Sequence, residues 1–279
     1  MIAMNVPSIP VALTIAGSDS GGGAGIQADL RTFAMHKVHG TSALTCVTAQ
    51  NTLGVTRVDA LPPEAIAAQM QAVIEDIGLH AAKTGMLLNI GIIEQVAQCL
   101  EAWQLERLVV DPVMVSRTGA QLIDDDAIAC LRSRLIPLAA VLTPNRYEAQ
   151  ILSGLEIQTL SDMKTAAELI YGLGAKAVLV KGGSMDAELR GVDVLFDGDR
   201  LQILRTQQIQ TRDTHGTGCT LSAAIAANLA LGHALNTAVR LAKDYVTTAL
   251  HYSLRLGQGQ GPVGHFFPLL SPVIPSEHP

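Results

Sequence analysis

The sequence is poor in aromatic and charged residues and has no long hydrophobic run. Only 3% of its 279 residues are aromatic and 16% are charged, while 48% are hydrophobic, which guarantees a sizeable core. The net charge of −6 comes without a lysine or arginine run, so nothing marks a surface for nucleic acid or an anionic membrane. No apolar run is long enough to span a bilayer, and residues 1–10 lack the basic start of a signal peptide. We therefore expect a soluble, cytoplasmic protein.

Cysteine is also scarce. The four cysteines, Cys46, Cys99, Cys130 and Cys219, lack the paired spacing of a zinc site and are too few for a disulfide framework. This scarcity fits a reducing compartment, and the first three are expected to lie in the core.

Short apolar runs alternate with longer amphipathic ones, and this pattern predicts a parallel sheet covered by helices on both faces. The predicted strands are Val11–Ala16, Ala43–Ala49, His80–Thr84, Arg107–Val110, Ala140–Leu142 and Lys176–Val180, followed by a hairpin of Val192–Phe196 and Leu201–Thr206. The predicted helices are Gln27–Lys37, Glu64–Ile77, Ile90–Gln104, Asp125–Leu135, Glu148–Leu152 and Asp162–Leu173. Because no linker or repeat interrupts the pattern, a single α/β domain over residues 1–279 is expected.

Polar residues follow six of the predicted strands. They are Gly17-Ser18-Asp19, Gln50-Asn51, Gly85-Met86, Asp111-Pro112, Thr143-Pro144-Asn145 and Lys181-Gly182-Gly183. Since the carboxyl ends of parallel strands share one edge of a sheet, ligands are expected there. A lysine at the end of a buried strand, such as Lys181, is seldom only a solvated charge, and the two glycines after it leave room for a phosphate chain.

The segment Asp213-Thr214-His215-Gly216-Thr217-Gly218-Cys219 runs directly into an alanine-rich stretch of high helix propensity. Its two glycines let backbone N–H groups approach a ligand, and the positive end of the following helix favours negative charge. This pattern predicts a phosphate site. Cys219 falls in the first helical turn, where the helix field is expected to favour a proton-accepting thiolate. The structural alternative is a glycine turn before a buried helix.

Other motifs also have structural alternatives. Residues 21–25, Gly-Gly-Gly-Ala-Gly, resemble a dinucleotide loop only superficially, because the spacing of the glycines is poor and no acidic residue ends the second strand. Asn145 and Glu148 have the spacing of a capping box, although a carboxylate here would also suit water-mediated binding of Mg²⁺ on nucleotide phosphates. Taken alone, Asp29 and Gln50 read as ordinary surface or capping residues.

Together these segments resemble the hydroxymethylpyrimidine/phosphomethylpyrimidine kinases, which are the thiamine-pathway members of the ribokinase-like superfamily. The matching segments are 12–19, 22–30, 49–52, 83–87, 111–114, 142–145, 180–183, 214–219 and 261–266, so the resemblance spans about residues 11–267. It implies a ribokinase-like three-layer α/β/α sandwich with a central, mostly parallel sheet, usually in a homodimer. It also implies ATP-dependent phosphorylation of hydroxymethylpyrimidine, and then of its monophosphate, for thiamine biosynthesis.

The resemblance further assigns roles by position. Gly17, Asp29, Gln50, Met86 and Val113 match the pyrimidine subsite, where Asp29 and Gln50 would pair with the amino group and ring nitrogens. Asn145, Lys181, Gly182, Thr214, Gly216 and Gly218 match the ATP side, with Asp111 and Glu148 for Mg²⁺ through water. Gly216, Thr217, Gly218 and Cys219 match the anion hole, and with Lys181 they form the expected catalytic set.

Two positions depart from commoner patterns. Cys219 stands where many superfamily relatives carry an aspartate base, although cysteine is usual in this subfamily, and Gly21 stands where the family more often has serine. Because some relatives with this cysteine accept pyridoxal, a pyridoxal kinase is one alternative. A catalytically silent nucleotide-binding module is the other, against which the joint presence of Asp29, Gln50, Lys181 and Cys219 argues.

Overall fold

The computed structural model describes residues 9–114, 122–186 and 188–270, and within them nine strands form one sheet. The strands are β1 (Val11–Asp19), β2 (His39–Gln50), β3 (Val55–Ala60), β4 (Ala81–Thr84), β5 (Leu108–Val110), β6 (Val141–Leu142), β7 (Val178–Val180), β8 (Val192–Phe196) and β9 (Leu201–Arg205). Their order is β3-β2-β1-β4-β5-β6-β7-β8-β9. The strands from β2 to β7 in this order pair in parallel. At one edge β3 pairs antiparallel with β2, and at the other β8 pairs antiparallel with β7 and β9 antiparallel with β8.

Helices cover both faces of this sheet. They are α1 (Gly25–Met35), α2 (Pro63–Asp76), α3 (Ile90–Trp103), α4 (Asp125–Cys130), α5 (Arg146–Ser153), α6 (Leu160–Tyr171), α7 (Thr217–Ala230) and α8 (Leu235–His251). Helices α1, α7 and α8 share one apolar core with the sheet, and α2 to α6 share the other. The predicted three-layer α/β/α sandwich with a mostly parallel sheet is therefore confirmed.

The central strands β5 and β7 are short, and both of their faces are buried. In β5 and β7, which read Leu-Val-Val and Val-Leu-Val, every residue is fully buried. Val109 and Leu179 point into the core of α7, whereas Leu108, Val110 and Val178 point into the opposite core. Such continuous apolar runs are typical of a parallel sheet between two helical layers.

Helix α7 is buried along almost its whole length. Every residue from Thr220 to Ala230 is buried, and most are small. Small side chains let the helix lie close to β1, β4 and β5. This close packing fixes the start of α7, which follows the predicted phosphate loop, at the carboxyl edge of the sheet.

The predicted elements are present, with boundaries shifted by a few residues, but two further elements were not predicted. The whole of β3 is exposed, so its sequence carries no burial pattern. Helix α8 does have one buried face, formed by positions that include Ala238, Ala242 and Ala249. Within the predicted helix 125–135, the chain widens to a π-helical turn at Leu131–Leu135.

Two smaller observations bear on the composition. Cys46 is buried as predicted, and Cys99 and Cys130 are partly buried and pack against the hydrophobic core. Among the described residues, no helix combines the length and the apolarity needed to cross a bilayer. The extent of the domain, residues 1–279, stays a prediction.

Candidate functional site

A buried ion pair joins the ends of β5 and β7. The Nζ atom of Lys181 lies 2.9 Å from Oδ1 of Asp111. Thr143 donates to the same oxygen at 3.2 Å, and Ser222 of α7 donates to Oδ2 at 3.2 Å. Burial acts to raise the pKa of Asp111, but Lys181 and Lys83 outweigh it and lower that pKa. Asp111 is therefore a carboxylate that holds Lys181 in place.

Glu148 forms the predicted capping box at the start of α5. Its N–H donates to the side chain of Asn145 at 3.0 Å, and its Oε2 accepts from the Asn145 N–H at 2.7 Å. Burial raises the pKa of Glu148 to about 8, against the opposing effect of Lys181. Glu148 is thus harder to ionise than an exposed glutamate, whereas the pKa of Asp111 is lowered.

The start of α7 meets this ion pair. Gly216 adopts a left-handed conformation with φ of 83°, and its carbonyl accepts the N–H of Thr220 at 2.8 Å. The N–H groups of Gly218 and Cys219 precede that first helical hydrogen bond, so they point out of the helix end. A β carbon on Gly218 would lie 3.5 Å from Nζ of Lys181. The predicted anion hole and the predicted ATP lysine are therefore neighbours.

The loop between β1 and α1 lies directly against the phosphate loop, residues 213–219. A β carbon on Gly216 would overlap the carbonyl oxygen of Gly23, and one on Gly23 would overlap the ring of His215. Asp19 joins the two loops: its Oδ2 accepts from the N–H groups of Gly23 and Ala24 at 3.0 and 2.8 Å and lies 2.8 Å from Nε2 of His215. Burial acts to raise the pKa of Asp19, but these hydrogen bonds outweigh it and lower that pKa.

Four residues of the predicted pyrimidine subsite, Gly17, Gln50, Met86 and Val113, lie at the carboxyl edge of the sheet. A β carbon on Gly17 would be 3.2 Å from Cε of Met86, so these two are in close contact. Gln50 is half-buried at the end of β2, and its Nε2 lies 3.5 Å from Nε2 of His215. Val113 is half-buried just after β5.

The remaining predicted nucleotide residues lie at the same edge. The N–H of Gly182 donates to Oδ1 of the buried Asp193 at 2.9 Å. The carbonyl of Thr214 accepts from the N–H of Thr217 at 3.3 Å, which closes the turn before α7.

Asp29 differs from the rest because its carboxylate has no exposed surface. Its two oxygens accept from Nζ of Lys83 at 3.0 and 2.8 Å, and Oδ2 also accepts from the hydroxyl of Thr14 at 2.6 Å. In this arrangement the carboxylate does not reach a ligand, so the predicted pairing with a pyrimidine ring gains no support.

Cys219 is partly exposed, and its thiol is not acidic. Burial raises its pKa, the charges of Asp29 and Asp111 raise it further, and Lys83 and a hydrogen bond from the Gly25 N–H only partly offset them. The expectation of a thiolate is therefore wrong for the ligand-free protein, because burial and the charges of Asp29 and Asp111 together outweigh the effects that lower the pKa.

The C-terminal segment braces the phosphate loop. The N–H of His215 donates to the carbonyl of Gly261 at 3.0 Å, and Nε2 of His265 lies 2.9 Å from Oγ1 of Thr220. Because that hydroxyl donates its own proton to the carbonyl of Gly216, the ring nitrogen must be the donor. Burial, helped by nearby positive charges, lowers the pKa of His265 to about 4.

Sequence reasoning assigned no role to several residues that shape this site. Lys83 lies in the buried strand Ala-Ala-Lys-Thr. A lysine near the end of a buried strand is the signal that pointed to Lys181, so the same argument could have found Lys83. Asp19 precedes three glycines, where a carboxylate often accepts backbone N–H groups. Nothing in the local sequence marked Ser222 or His265, whose roles depend on contacts between distant segments.

Comparison with known proteins agrees with this geometry. The model of the phosphomethylpyrimidine kinase family matches residues 19–264. The chain belongs to that family. It is 62% identical to a hydroxymethylpyrimidine/phosphomethylpyrimidine kinase of Synechococcus elongatus, over 94% of this chain and 99% of the relative.

Solved structures of the family confirm the ribokinase-like fold. An ADP complex of Bacillus subtilis pyridoxal kinase superposes with a TM-score of 0.89 at 42% identity, covering 95% of this chain and all (100%) of that one. A phosphomethylpyrimidine kinase of Clostridium difficile has a TM-score of 0.77 at 44% identity, covering 86% of this chain and 99% of that one.

The contact between the two loops predicts a specific effect of Gly216→Ala. Both Gly216→Ala and Gly232→Ala impose a left-handed alanine, which costs about 1–2 kcal/mol, but only the first also overlaps Gly23. We expect Gly216→Ala to lower the free energy of unfolding more than Gly232→Ala does and to weaken ATP binding at least tenfold, whereas Gly232→Ala leaves ATP binding unchanged. Urea unfolding and calorimetric titration measure both effects; equal effects of the two variants would contradict the role of the contact.

The buried His265 predicts acid sensitivity. Its pKa falls from 6.5 to about 4 on folding, so the native state resists protonation and loses stability as the pH drops between those values. The loss is at most about 1.4 kcal/mol per pH unit. We expect His265→Gln, which keeps an N–H donor, to flatten the dependence of the unfolding free energy on pH, and His233→Gln at an exposed position to leave it unchanged. A slope in His265→Gln equal to that of the wild type would exclude this origin.

Proposed function

We propose that the protein transfers the γ-phosphoryl group of ATP to the hydroxyl group of hydroxymethylpyrimidine, and then a second phosphoryl group to the monophosphate. The proposal is supported by family membership together with one feature of the site: the start of α7 lies between the ion pair of Lys181 and Asp111 on one side and Gln50 near His215 on the other. A phosphoryl group at the helix end would face both halves of the site.

In this proposal the protein acts chiefly by positioning and electrostatics. Phosphoryl transfer needs little covalent chemistry from the enzyme, so the N–H groups of Gly218 and Cys219 and the ammonium group of Lys181 supply most of the stabilisation. Lys181 exchanges part of its contact with Asp111 for the phosphate. Cys219 accepts the hydroxyl proton late in the transfer in its thiolate form, and the raised pKa of its thiol makes that thiolate a stronger base.

Magnesium is proposed at Asp111 and Glu148. The oxygens of Asp111 already accept from three side chains, and Oε2 of Glu148 caps α5, so little capacity remains for direct coordination. The pair therefore fits an ion that keeps its water ligands, as Mg²⁺ usually does. When bound, the ion would neutralise charge on the phosphates.

Pyridoxal is the second candidate acceptor. The observation that favours it is the similarity to the Bacillus subtilis pyridoxal kinase structure. The half-buried wall of Met86 and Val113 would accept either flat ring. We propose hydroxymethylpyrimidine as the preferred acceptor because the 62% identical relative is a kinase of that name.

A homodimer is also proposed. The edge strand β3 is exposed along its whole length and carries the apolar side chains of Val55 and Val58. Such an exposed edge strand suits association with a second copy of the chain.

Turnover by the purified protein tests the proposed activity. We expect ADP formation from ATP and Mg²⁺ only when hydroxymethylpyrimidine is added, with a higher kcat/KM than for pyridoxal, and a diphosphate as the final product. A coupled ADP assay with product analysis by mass spectrometry measures this. Equal or better transfer to pyridoxal or to a sugar would overturn the choice of acceptor, and no transfer to any of them would overturn the proposed kinase activity.

Substitution of Gln50 tests the placement of the acceptor. Gln50→Ala removes an amide that reaches the phosphate loop, and an unpaired polar group on the bound ring costs about 1–3 kcal/mol. We expect the affinity for hydroxymethylpyrimidine to fall tenfold or more while ATP binding is unchanged, and the exposed Gln71→Ala to change neither. Calorimetric titration of both ligands decides; equal losses for ATP and the pyrimidine would place Gln50 in the wrong subsite.

A further inference from the structure

Lys181 lies on a turn whose backbone is held from both sides. The N–H of Lys181 donates to the carbonyl of Pro144, just after β6, at 2.8 Å. On the other side, the N–H of Gly182 donates to Oδ1 of Asp193 in β8 at 2.9 Å. Gly182 is also in close contact with this strand, since a β carbon there would overlap the carbonyl oxygen of Val192. The placement of Lys181 therefore depends on where β8 begins.

A buried lysine of α8 fixes the start of β8. Nζ of Lys243 lies 2.6 Å from Oδ2 of Asp193 and donates to the carbonyl of Gly191 at 2.9 Å. Gly191 and Asp193 flank Val192, so this ammonium group holds the chain on both sides of the residue that Gly182 contacts. Asp193 uses both of its oxygens, one toward Lys243 and one toward Gly182. A continuous set of hydrogen bonds thus runs from α8 to the turn after β7.

Stability alone does not account for the ion pair of Asp193 and Lys243. Both side chains are buried, with at most 9% of either one exposed. Taking two charges out of water often costs as much as their attraction returns, so apolar side chains of similar size would pack here about as well. Apolar side chains could not accept the N–H of Gly182. The carboxylate does so, and hydrogen bonds to charged acceptors are the stronger and shorter ones.

We propose that Asp193 and Lys243 are positioning residues for Lys181. Lys243 orients the carboxylate of Asp193, and this carboxylate holds Gly182, so that the ammonium group of Lys181 meets the phosphates of ATP. The inference rests on the proposed function, because it concerns the nucleotide half of that site. The N–H of Gly182 is already bonded, so this glycine contributes its lack of a side chain rather than a hydrogen bond to ATP.

Two double variants separate the hydrogen bond from the ion pair. Asp193→Leu/Lys243→Met removes both buried charges and the acceptor for Gly182, whereas Asp193→Asn/Lys243→Met removes the charges but keeps an acceptor oxygen. Calorimetric titration uses a non-hydrolysable ATP analogue with Mg²⁺ and, separately, hydroxymethylpyrimidine. We expect the first variant to bind the ATP analogue about tenfold more weakly, which is the effect of one hydrogen bond to a charged group. The second should recover most of that affinity, and neither should change the affinity for the pyrimidine.

The amide of Gly182 reports the hydrogen bond directly. Lys181-Gly182 is the only Lys-Gly pair in the sequence, so ¹³C in lysine carbonyls and ¹⁵N in glycine amides together give a single correlated signal. The amide proton should move upfield in Asp193→Leu/Lys243→Met because a charged acceptor is lost, and less in Asp193→Asn/Lys243→Met. A signal that does not move in the first variant would overturn the proposal.

The matched control is Val239→Ala. It truncates a buried side chain on the same face of α8, one turn before Lys243, and should change neither affinity. Equal losses for the ATP analogue and the pyrimidine would indicate general damage and overturn the proposal, as would equal ATP affinities in the two double variants. If Asp193→Leu/Lys243→Met does not fold, Lys243→Met decides: weaker binding of the ATP analogue alone supports the proposal, and any other result overturns it.

Failure of the proposed function would give a different result. Titration and the amide signal need no turnover. A wild type that binds the ATP analogue but phosphorylates no acceptor would overturn the proposed function, while a selective loss of ATP affinity in the first variant would still support this inference. An active wild type beside a first variant of unchanged ATP affinity would overturn this inference alone, and a wild type that binds no ATP analogue would overturn both.

Discussion

The site depends on the carboxylate of Asp19, which ties three separate segments together. It ends β1, accepts N–H groups of the glycine loop at Gly21, Gly23 and Ala24, and contacts His215 of the phosphate loop. Through these contacts Asp19 holds the glycine loop against the phosphate loop, where Gly23 and Gly216 lie in close contact. Because Gly216 begins α7, Asp19 acts together with the close packing of α7 on the sheet to position the proposed anion hole.

Buried lysines, two at strand ends and one in α8, impose a second constraint. Lys83, Lys181 and Lys243 are each paired with one aspartate, at 2.8, 2.9 and 2.6 Å. An unpaired buried cation would be strongly destabilising, so these carboxylates are needed for the fold whatever the ligand. Such pairs also keep a charged side chain near the proposed ligand. Lys181 can shift toward a phosphate while Asp111 still accepts hydrogen bonds from Thr143 and Ser222. The fold and the chemistry therefore depend on the same contacts.

The sequence predicted the layers of the fold and most of the edge residues, because apolar periodicity and strand ends are local signals. Its predictions were weaker where the outcome depends on distant segments. Asp29 matched a family position, yet whether its carboxylate faces a ligand is decided by Lys83, a residue 54 positions away. The acidity of Cys219 was misjudged for the same reason, since the helix end is local but the extent of burial is not. The edge strand β3 was missed because it buries nothing.

The central claim is that phosphoryl transfer takes place at the start of α7, between Lys181 and Cys219. A crystal structure with a non-hydrolysable ATP analogue and hydroxymethylpyrimidine tests it most directly. The account predicts the γ-phosphate within hydrogen-bonding distance of the N–H groups of Gly218 and Cys219, the pyrimidine against Gln50 and Met86, and its hydroxyl group between the phosphate and Sγ of Cys219. A γ-phosphate bound away from the start of α7, or a pyrimidine whose hydroxyl group points away from Cys219, would contradict it.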